Sequence, residues 1–289
     1  MSKKSISIIA AIVILVVLLL VSWRNHQVRL VPTIDNGEWF FLHKSDLRKG
    51  PHHTKHARIF GKYVRGYNYY ILKGIDKVQA HAPEGGEYFT SLKARQPESP
   101  IGYELKIFGK SLIRPPRRSS YSSGATYGAF IEAMNIIYGR GGHDSLDFEH
   151  YEALRMQEIG GGKRREGVQF WGYWNSHGFG NHFALVQYSG IGKAVEPRSA
   201  RPGDFVNIIW KKDGATSAIF LGWFKDKDEK EKIVYWSSQK ETNGFGDQIM
   251  PVDNIKYLKF VRVTNPEKLF DFNIDMPVNF KVAGDKVVF

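Results

Sequence analysis

The residues of this 289-residue chain that could do chemistry are serine, threonine, glutamine and histidine, because the sequence contains no cysteine. Ser122 and Ser123 precede Gly124 in the segment 121–127, YSSGATY. A serine hydroxyl attacks a carbonyl only when a general base, normally histidine, lies within hydrogen-bond reach and takes its proton. A serine mechanism therefore needs a histidine brought to Ser122 by the fold, whereas every thiol mechanism is excluded.

The candidates for such a base lie downstream of Ser122. They are His143, His150, His177 and His182. His182, in a segment rich in aromatic residues and glycine, is the first alternative base for a serine nucleophile. The simpler interpretation is structural, because Ser122 and Ser123 are suited to capping a helix.

One helix and four strands must position these residues. Apolar residues recur at helical spacing after segment 121–127, which predicts a loop followed by a helix that ends near Gly139. A Pro-Gly turn at 202–203 leads into a predicted strand that begins at Phe205, and further strands are predicted over 215–222, 233–239 and 255–263, the last closing the sheet. Upstream, the apolar runs 70–72 and 103–107 also read as strands.

The order of these segments resembles the NlpC/P60 group of papain-like cell-wall hydrolases. The resemblance is carried by Ser-Gly at 123–124, by Pro-Gly-Asp at 202–204 and by the strand 215–222. That family places Cys-Ser-Gly at a helix start, Pro-Gly-Asp before a strand and Gly-His at the opening of the next strand. The resemblance implies an α+β fold with a papain-like helix packed on an antiparallel sheet, over residues 69–263.

Carried over position by position, the resemblance puts the nucleophile at Ser122, the base at Thr216 and the orienting residue at Ser238 or Gln239. Threonine cannot act as the base, so the implied function is a catalytically degenerate domain that binds a cell-wall peptide or a protein partner. The alternative is an active peptidoglycan amidase or peptidase that uses Ser122 with a non-standard histidine. A third interpretation is an unrelated, membrane-anchored, β-rich protein.

Four residues are candidates for ligand binding. Trp171 and Trp174 lie among glycines, a composition suited to stacking on sugar rings, although core packing explains many such aromatics. Arg118 ends a cationic segment that could hold a carboxylate, with a solvated loop as the alternative, and Tyr121 adjoins the nucleophile position. No cofactor is expected.

The amino terminus predicts a membrane anchor. Residues 6–21 are almost entirely aliphatic, with Lys3 and Lys4 before them and Trp23 and Arg24 after them. Such a run is at the short end of the ~17–25 residues of a membrane span, and no signal-peptidase site follows it. We expect a short tail over 1–5, a transmembrane signal anchor over 6–23 and a periplasmic or extracellular domain.

Two further segments complete the predicted organisation. Residues 24–68 read as a basic juxtamembrane segment, in which His52, His53 and His56 are expected to be solvated. We predict no metal site there, because a site needs three or four converging ligands and a strongly cationic run repels a cation. Residues 264–289 read as an apolar tail that wraps the domain or binds a partner.

The net charge of the chain predicts which surfaces it meets. The formal charge is +12 and the isoelectric point is about 9.6. These values favour contact with anionic surfaces such as peptidoglycan, other envelope polymers and lipid headgroups. The absence of a recognisable nucleic-acid module, together with an outward-facing anchor, argues against nucleic acid as a partner.

Overall fold

The computed structural model describes residues 9–20, 30–89, 101–113, 118–139, 141–155, 185–186, 189–212, 214–274, 281–283 and 286–288. These residues form a mixed α+β structure with an antiparallel sheet, as the sequence predicts. The helices are α1 (9–20), α2 (His56–Phe60), α3 (Tyr67–His81), α4 (Ser122–Tyr138), α5 (Gly141–Ser145) and α6 (Phe148–Leu154). The strands are β1 (Leu105–Ile107), β2 (Lys110–Ile113), β3 (Gly192–Val195), β4 (Phe205–Trp210), β5 (Ala215–Lys225), β6 (Glu231–Gln239), β7 (Gly244–Pro251), β8 (Ile255–Val263), β9 (Lys281–Ala283) and β10 (Lys286–Val288).

The main sheet has six strands in the order β3-β8-β4-β5-β6-β7, and every neighbouring pair is antiparallel. Its central strands are apolar on both faces. Ile219 and Leu221 join the core that also contains the helices, whereas Ala218 and Phe220 pack in a second cluster. This alternation is the two-residue period of a strand. The strands predicted at 215–222, 233–239 and 255–263 are confirmed, but β8 lies between β3 and β4 and does not close the sheet.

Helices α3 and α4 pack on each other, and α4 also packs on β5 and β6. The predicted helix ending near Gly139 is confirmed as α4. The predicted strand at 70–72 is wrong, because these residues lie within α3. Ile71, Ile75 and Val78 are buried at helical spacing, so the short apolar run is one part of a longer helical stripe.

Residues 30–68 are part of the folded domain, so the predicted boundary at residue 69 is wrong. Leu42 and Phe60 are buried in the core, and the Leu42 amide donates to the Trp223 carbonyl of β5 at 2.7 Å. The expectation of solvated histidines also fails at His56, whose side chain is 0% exposed. At the other end of the chain, Leu269 and Phe272 are buried, so this part of the tail packs on the domain.

A chain shortened to residues 69–289 is expected not to fold. It lacks Leu42, His56 and Phe60, and it also lacks Asp35, which pairs with the buried Arg262. Loss of large core side chains costs about 3–5 kcal/mol each, comparable to the whole stability of many domains. Circular dichroism and thermal melting would test this against a chain of residues 30–289. A cooperative melt of the shorter chain at the same temperature would contradict the expectation.

No described helix has both the length and the apolar character needed to cross a membrane. The anchor predicted over residues 6–23 extends outside the described residues at both of its ends. Its described part, α1, is helical with exposed side chains.

Candidate functional site

The Pro-Gly-Asp turn before β4 is held by buried hydrogen bonds. Gly203 has φ +92°, and a Cβ there would lie 2.6 Å from the Asn68 carbonyl oxygen of α3, so glycine is required. Asp204 accepts from the Asn68 amide at 2.7 Å, from the Arg201 backbone N–H at 2.8 Å and from two nitrogens of Arg262 at 2.8 and 2.7 Å. The turn therefore fixes the start of β4 against α3 and β8.

The nucleophile position lies at the first residue of α4. The N-cap is Tyr121, which makes no side-chain capping bond, and Ser122 and Ser123 are the first two helical residues. Neither serine therefore occupies the N-cap position itself. Both are buried, and the Ser123 hydroxyl has no hydrogen-bond partner among the described residues. Tyr121 packs against Tyr88, with ring centroids 5.8 Å apart.

The base position, Thr216, lies next to Gln239 of the adjacent strand. The Trp210 indole N–H donates to the Thr216 hydroxyl at 3.0 Å, and the Gln239 amide nitrogen lies 3.5 Å from the same oxygen. The Gln239 amide nitrogen also lies 3.1 Å from the Tyr235 hydroxyl. Burial raises the pKa of Tyr235, so its hydroxyl stays protonated at neutral pH.

Ser238, the other candidate for the orienting position, has a different partner. Its hydroxyl lies 2.7 Å from the hydroxyl of Ser120, just before α4, and both residues are buried. The structure thus associates Gln239, and not Ser238, with Thr216. Strand alternation accounts for this, because neighbouring residues of β6 point to opposite faces of the sheet.

All four of these positions line one cleft of about 460 Å³, which lies at the start of β5 and the end of β6, where residues from both faces of the sheet border it. Its wall contains Ser122, Thr216, Ser238 and Gln239 together with the aromatic residues Tyr88, Trp210 and Tyr235. Lys240 and Glu241 add one charge of each sign. The described residues that line the cleft include no histidine, so the described part of the chain supplies no imidazole base there.

The remaining predicted site residues fall elsewhere. Arg118 is exposed and lines a second cavity of about 620 Å³ with His81 and Tyr103, and the described lining of the first cleft does not contain it. The prediction that Arg118 shares a binding site with Ser122 therefore gains no support from the described lining. Three of the predicted residues lie outside the described part of the chain: Trp171, Trp174 and His182. His177 lies outside it too.

Among the histidines that the structure describes, the most strongly perturbed imidazole is His56, which sequence reasoning placed in a solvated segment. Its Nδ1 lies 2.8 Å from Asp76 and its Nε2 lies 2.9 Å from Asp247. Burial lowers the pKa of His56, but the Asp247 and Asp76 carboxylates outweigh burial and raise it to about 9. The only local signal was the spacing of His53 and His56, because Asp76 and Asp247 are distant in sequence.

The chain matches no family model, no curated protein and no solved structure. The resemblance to NlpC/P60 hydrolases therefore stays a prediction from the sequence motifs.

Proposed function

We propose that this chain is a membrane-anchored, catalytically degenerate papain-like domain of the NlpC/P60 type that binds a cell-wall peptide. One observation carries the proposal. The positions that the resemblance assigns to nucleophile, base and orienting residue, Ser122, Thr216 and Gln239, line one cleft at the start of a helix packed on an antiparallel sheet. Two of the three, Ser122 and Thr216, have side chains unable to perform papain-type chemistry, whereas Gln239 is a polar residue suited to the orienting position.

The loss of chemistry follows from acidity. A thiol has a pKa near ~8.5, which its surroundings can lower, whereas a serine hydroxyl needs a base to remove its proton. Thr216 occupies the base position with a hydroxyl that already accepts a hydrogen bond from Trp210. Such a cleft retains the shape and hydrogen-bonding groups of a binding site but lacks the groups that drive bond cleavage.

Peptide binding fits the composition of the cleft wall. Gln239, Gln248 and Lys240 offer side-chain donors to peptide carbonyl and carboxylate oxygens. Trp210 and Met250 offer apolar surface for the stems of peptide side chains. A few polar groups on an apolar wall are typical of small-ligand sites.

The membrane anchor belongs to the same proposal. All of the apolar side chains of α1 are exposed, including Leu15 and Leu18 at 58% and 61%. A contiguous apolar surface of this kind marks a membrane or protein contact. An anchor of this kind would hold the positively charged domain beside the cell wall, facing the periplasm or the exterior.

Binding and cleavage can be measured on the same protein. We expect the full chain to retain soluble peptidoglycan peptides in equilibrium dialysis and to leave their masses unchanged in mass spectrometry. Ala215→Trp, which fills the cleft, should weaken binding at least about tenfold, since an obstructed pocket loses its desolvated contacts. Ala194→Trp is the matched control, because Ala194 is exposed on β3.

Three outcomes would overturn the proposal. Equal binding by Ala215→Trp and Ala194→Trp, or no binding by the wild type, would show that the cleft is not a peptide site. Cleavage by the wild type that Ser122→Ala abolishes would show a serine hydrolase instead, with a base from outside the cleft's described lining.

A further inference from the structure

Among the described residues, three groups able to bind a metal meet at the edge of the sheet, outside the described lining of the cleft. They are His53, three residues before α2 begins, His56, the first residue of α2, and Asp247 of the edge strand β7. Their ligand atoms all lie within 4.8 Å of one another. His53 Nε2 lies 3.0 Å from one Asp247 carboxylate oxygen, and His56 Nε2 lies 2.9 Å from the other.

These separations are close to those of a bound zinc ion. Zinc bonds of ~2.0–2.2 Å to nitrogen and oxygen, arranged tetrahedrally, put ligand atoms roughly 3.3 Å apart. The two histidine–carboxylate contacts are a few tenths of an ångström shorter, so His53 and Asp247 must move to admit the ion, starting from ligand atoms that lie within 4.8 Å of one another. The two imidazole rings are stacked with centroids 4.2 Å apart, which brings their Nε2 atoms to the same carboxylate.

Asp76 supplies the second shell that metal-bound histidines require. One of its oxygens lies 2.8 Å from His56 Nδ1, and the two also accept backbone N–H bonds from His56 at 2.7 Å and Ala57 at 3.0 Å. A histidine ligand characteristically donates its second ring N–H to a carboxylate, which fixes the ring and its tautomer. Asp76 therefore orients the His56 ring so that Nε2 faces Asp247.

The charge of the site and its access to solvent also favour a bound metal ion. The Asp76 and Asp247 side chains are only 21% and 14% exposed, so two carboxylates share a largely buried site that a dication would neutralise. Asp247 also lines an open cavity of about 400 Å³, through which an ion and a water ligand can enter. Two imidazoles and a carboxylate are donors that suit zinc.

We propose that His53, His56 and Asp247 bind one zinc ion, with water from the neighbouring cavity as the fourth ligand. The ion joins the segment before α2 to the edge strand of the sheet. The site is separate from the proposed peptide site, because the described lining of the cleft includes none of the three ligands.

In the test, the full chain is stripped of metal with a chelator, reloaded with zinc and dialysed against zinc-free buffer, and its zinc content and stability are then measured. We expect one zinc per wild-type chain by mass spectrometry of the metal, and a melting temperature that rises by roughly 5 °C with saturating zinc. Cobalt(II) bound in place of zinc should show the visible absorption of a four-coordinate ion.

Variants locate the ion. His53→Ala should abolish stoichiometric zinc binding. It should leave the fold intact, because His53 is less buried than His56. Asp76→Asn should weaken zinc binding about 10–100-fold by releasing the His56 ring. His143→Ala, which removes an exposed histidine remote from the cluster, is the matched control and should bind zinc like the wild type. Wild type without zinc, or His53→Ala with undiminished zinc, would overturn the proposal.

Discussion

The combined substitutions Ser122→Cys and Thr216→His are expected to create hydrolytic activity toward peptidoglycan peptides. They place a thiol at the start of α4 and an imidazole beside Gln239, in the same cleft. A helix N-terminus and an adjacent histidine both stabilise a thiolate, and a positioned base contributes about 10²–10⁴-fold to rate. Gln239, now 3.5 Å from the Thr216 hydroxyl, is placed to orient the new ring.

Mass spectrometry of digested peptidoglycan would measure this gain. Ser122→Cys alone should be at least about 100-fold slower than the double variant, because it has no base in the cleft. Ser123→Cys with Thr216→His is the matched control, since it moves the thiol by one residue to a position outside the described lining of the cleft. Equal activity in this control, or none in the double variant, would show that the cleft does not have papain-like geometry.

Arg262→Met is expected to lower the free energy of unfolding by about 3–5 kcal/mol, the usual cost of removing one partner of a buried ion pair. The Arg262 side chain is 1% exposed and pairs with Asp204, which is 0% exposed, and with Asp35. The substitution leaves Asp204 buried with no cation in contact. It also loosens the turn that begins β4.

Chemical denaturation monitored by tryptophan fluorescence would measure this loss. Lys256→Met, which removes an exposed cation from the same strand, is the matched control and should change stability by less than about 0.5 kcal/mol. If the two variants were equally stable, the buried ion pair would contribute no more than a surface charge.

Arg262→Met should also change how the free energy of unfolding falls with pH in acid. Burial raises the pKa of Asp35, but hydrogen bonds and the charge of Arg262 outweigh burial and lower it below 3.8. Its contribution is therefore present above about pH 4 and is lost as the pH falls through the lowered folded-state pKa. The stability difference between wild type and Arg262→Met should narrow below pH 4. A constant difference down to pH 2 would contradict this account.

Elements whose apolar residues recur regularly over a long segment were predictable from sequence. Helix α4 and strands β5, β6 and β8 lie where the apolar spacing predicts them, since each buries a continuous face. The short run at 70–72 was misassigned as a strand because three apolar residues do not define a period. The helical period becomes visible only over the full length of α3, in which Ile75 and Val78 are buried as well.

The sequence by itself determined that no thiol chemistry exists here, and it gave the order of the segments that form the cleft. Tertiary structure alone decided which side chains meet. Gln239 lies beside Thr216 because antiparallel pairing aligns β6 with β5, and Arg262 reaches Asp204 across 58 residues. His56 was unrecognisable for the same reason, because its partners Asp76 and Asp247 are 20 and 191 residues away. Side-chain chemistry is local, but burial and charge pairing depend on contacts between distant segments.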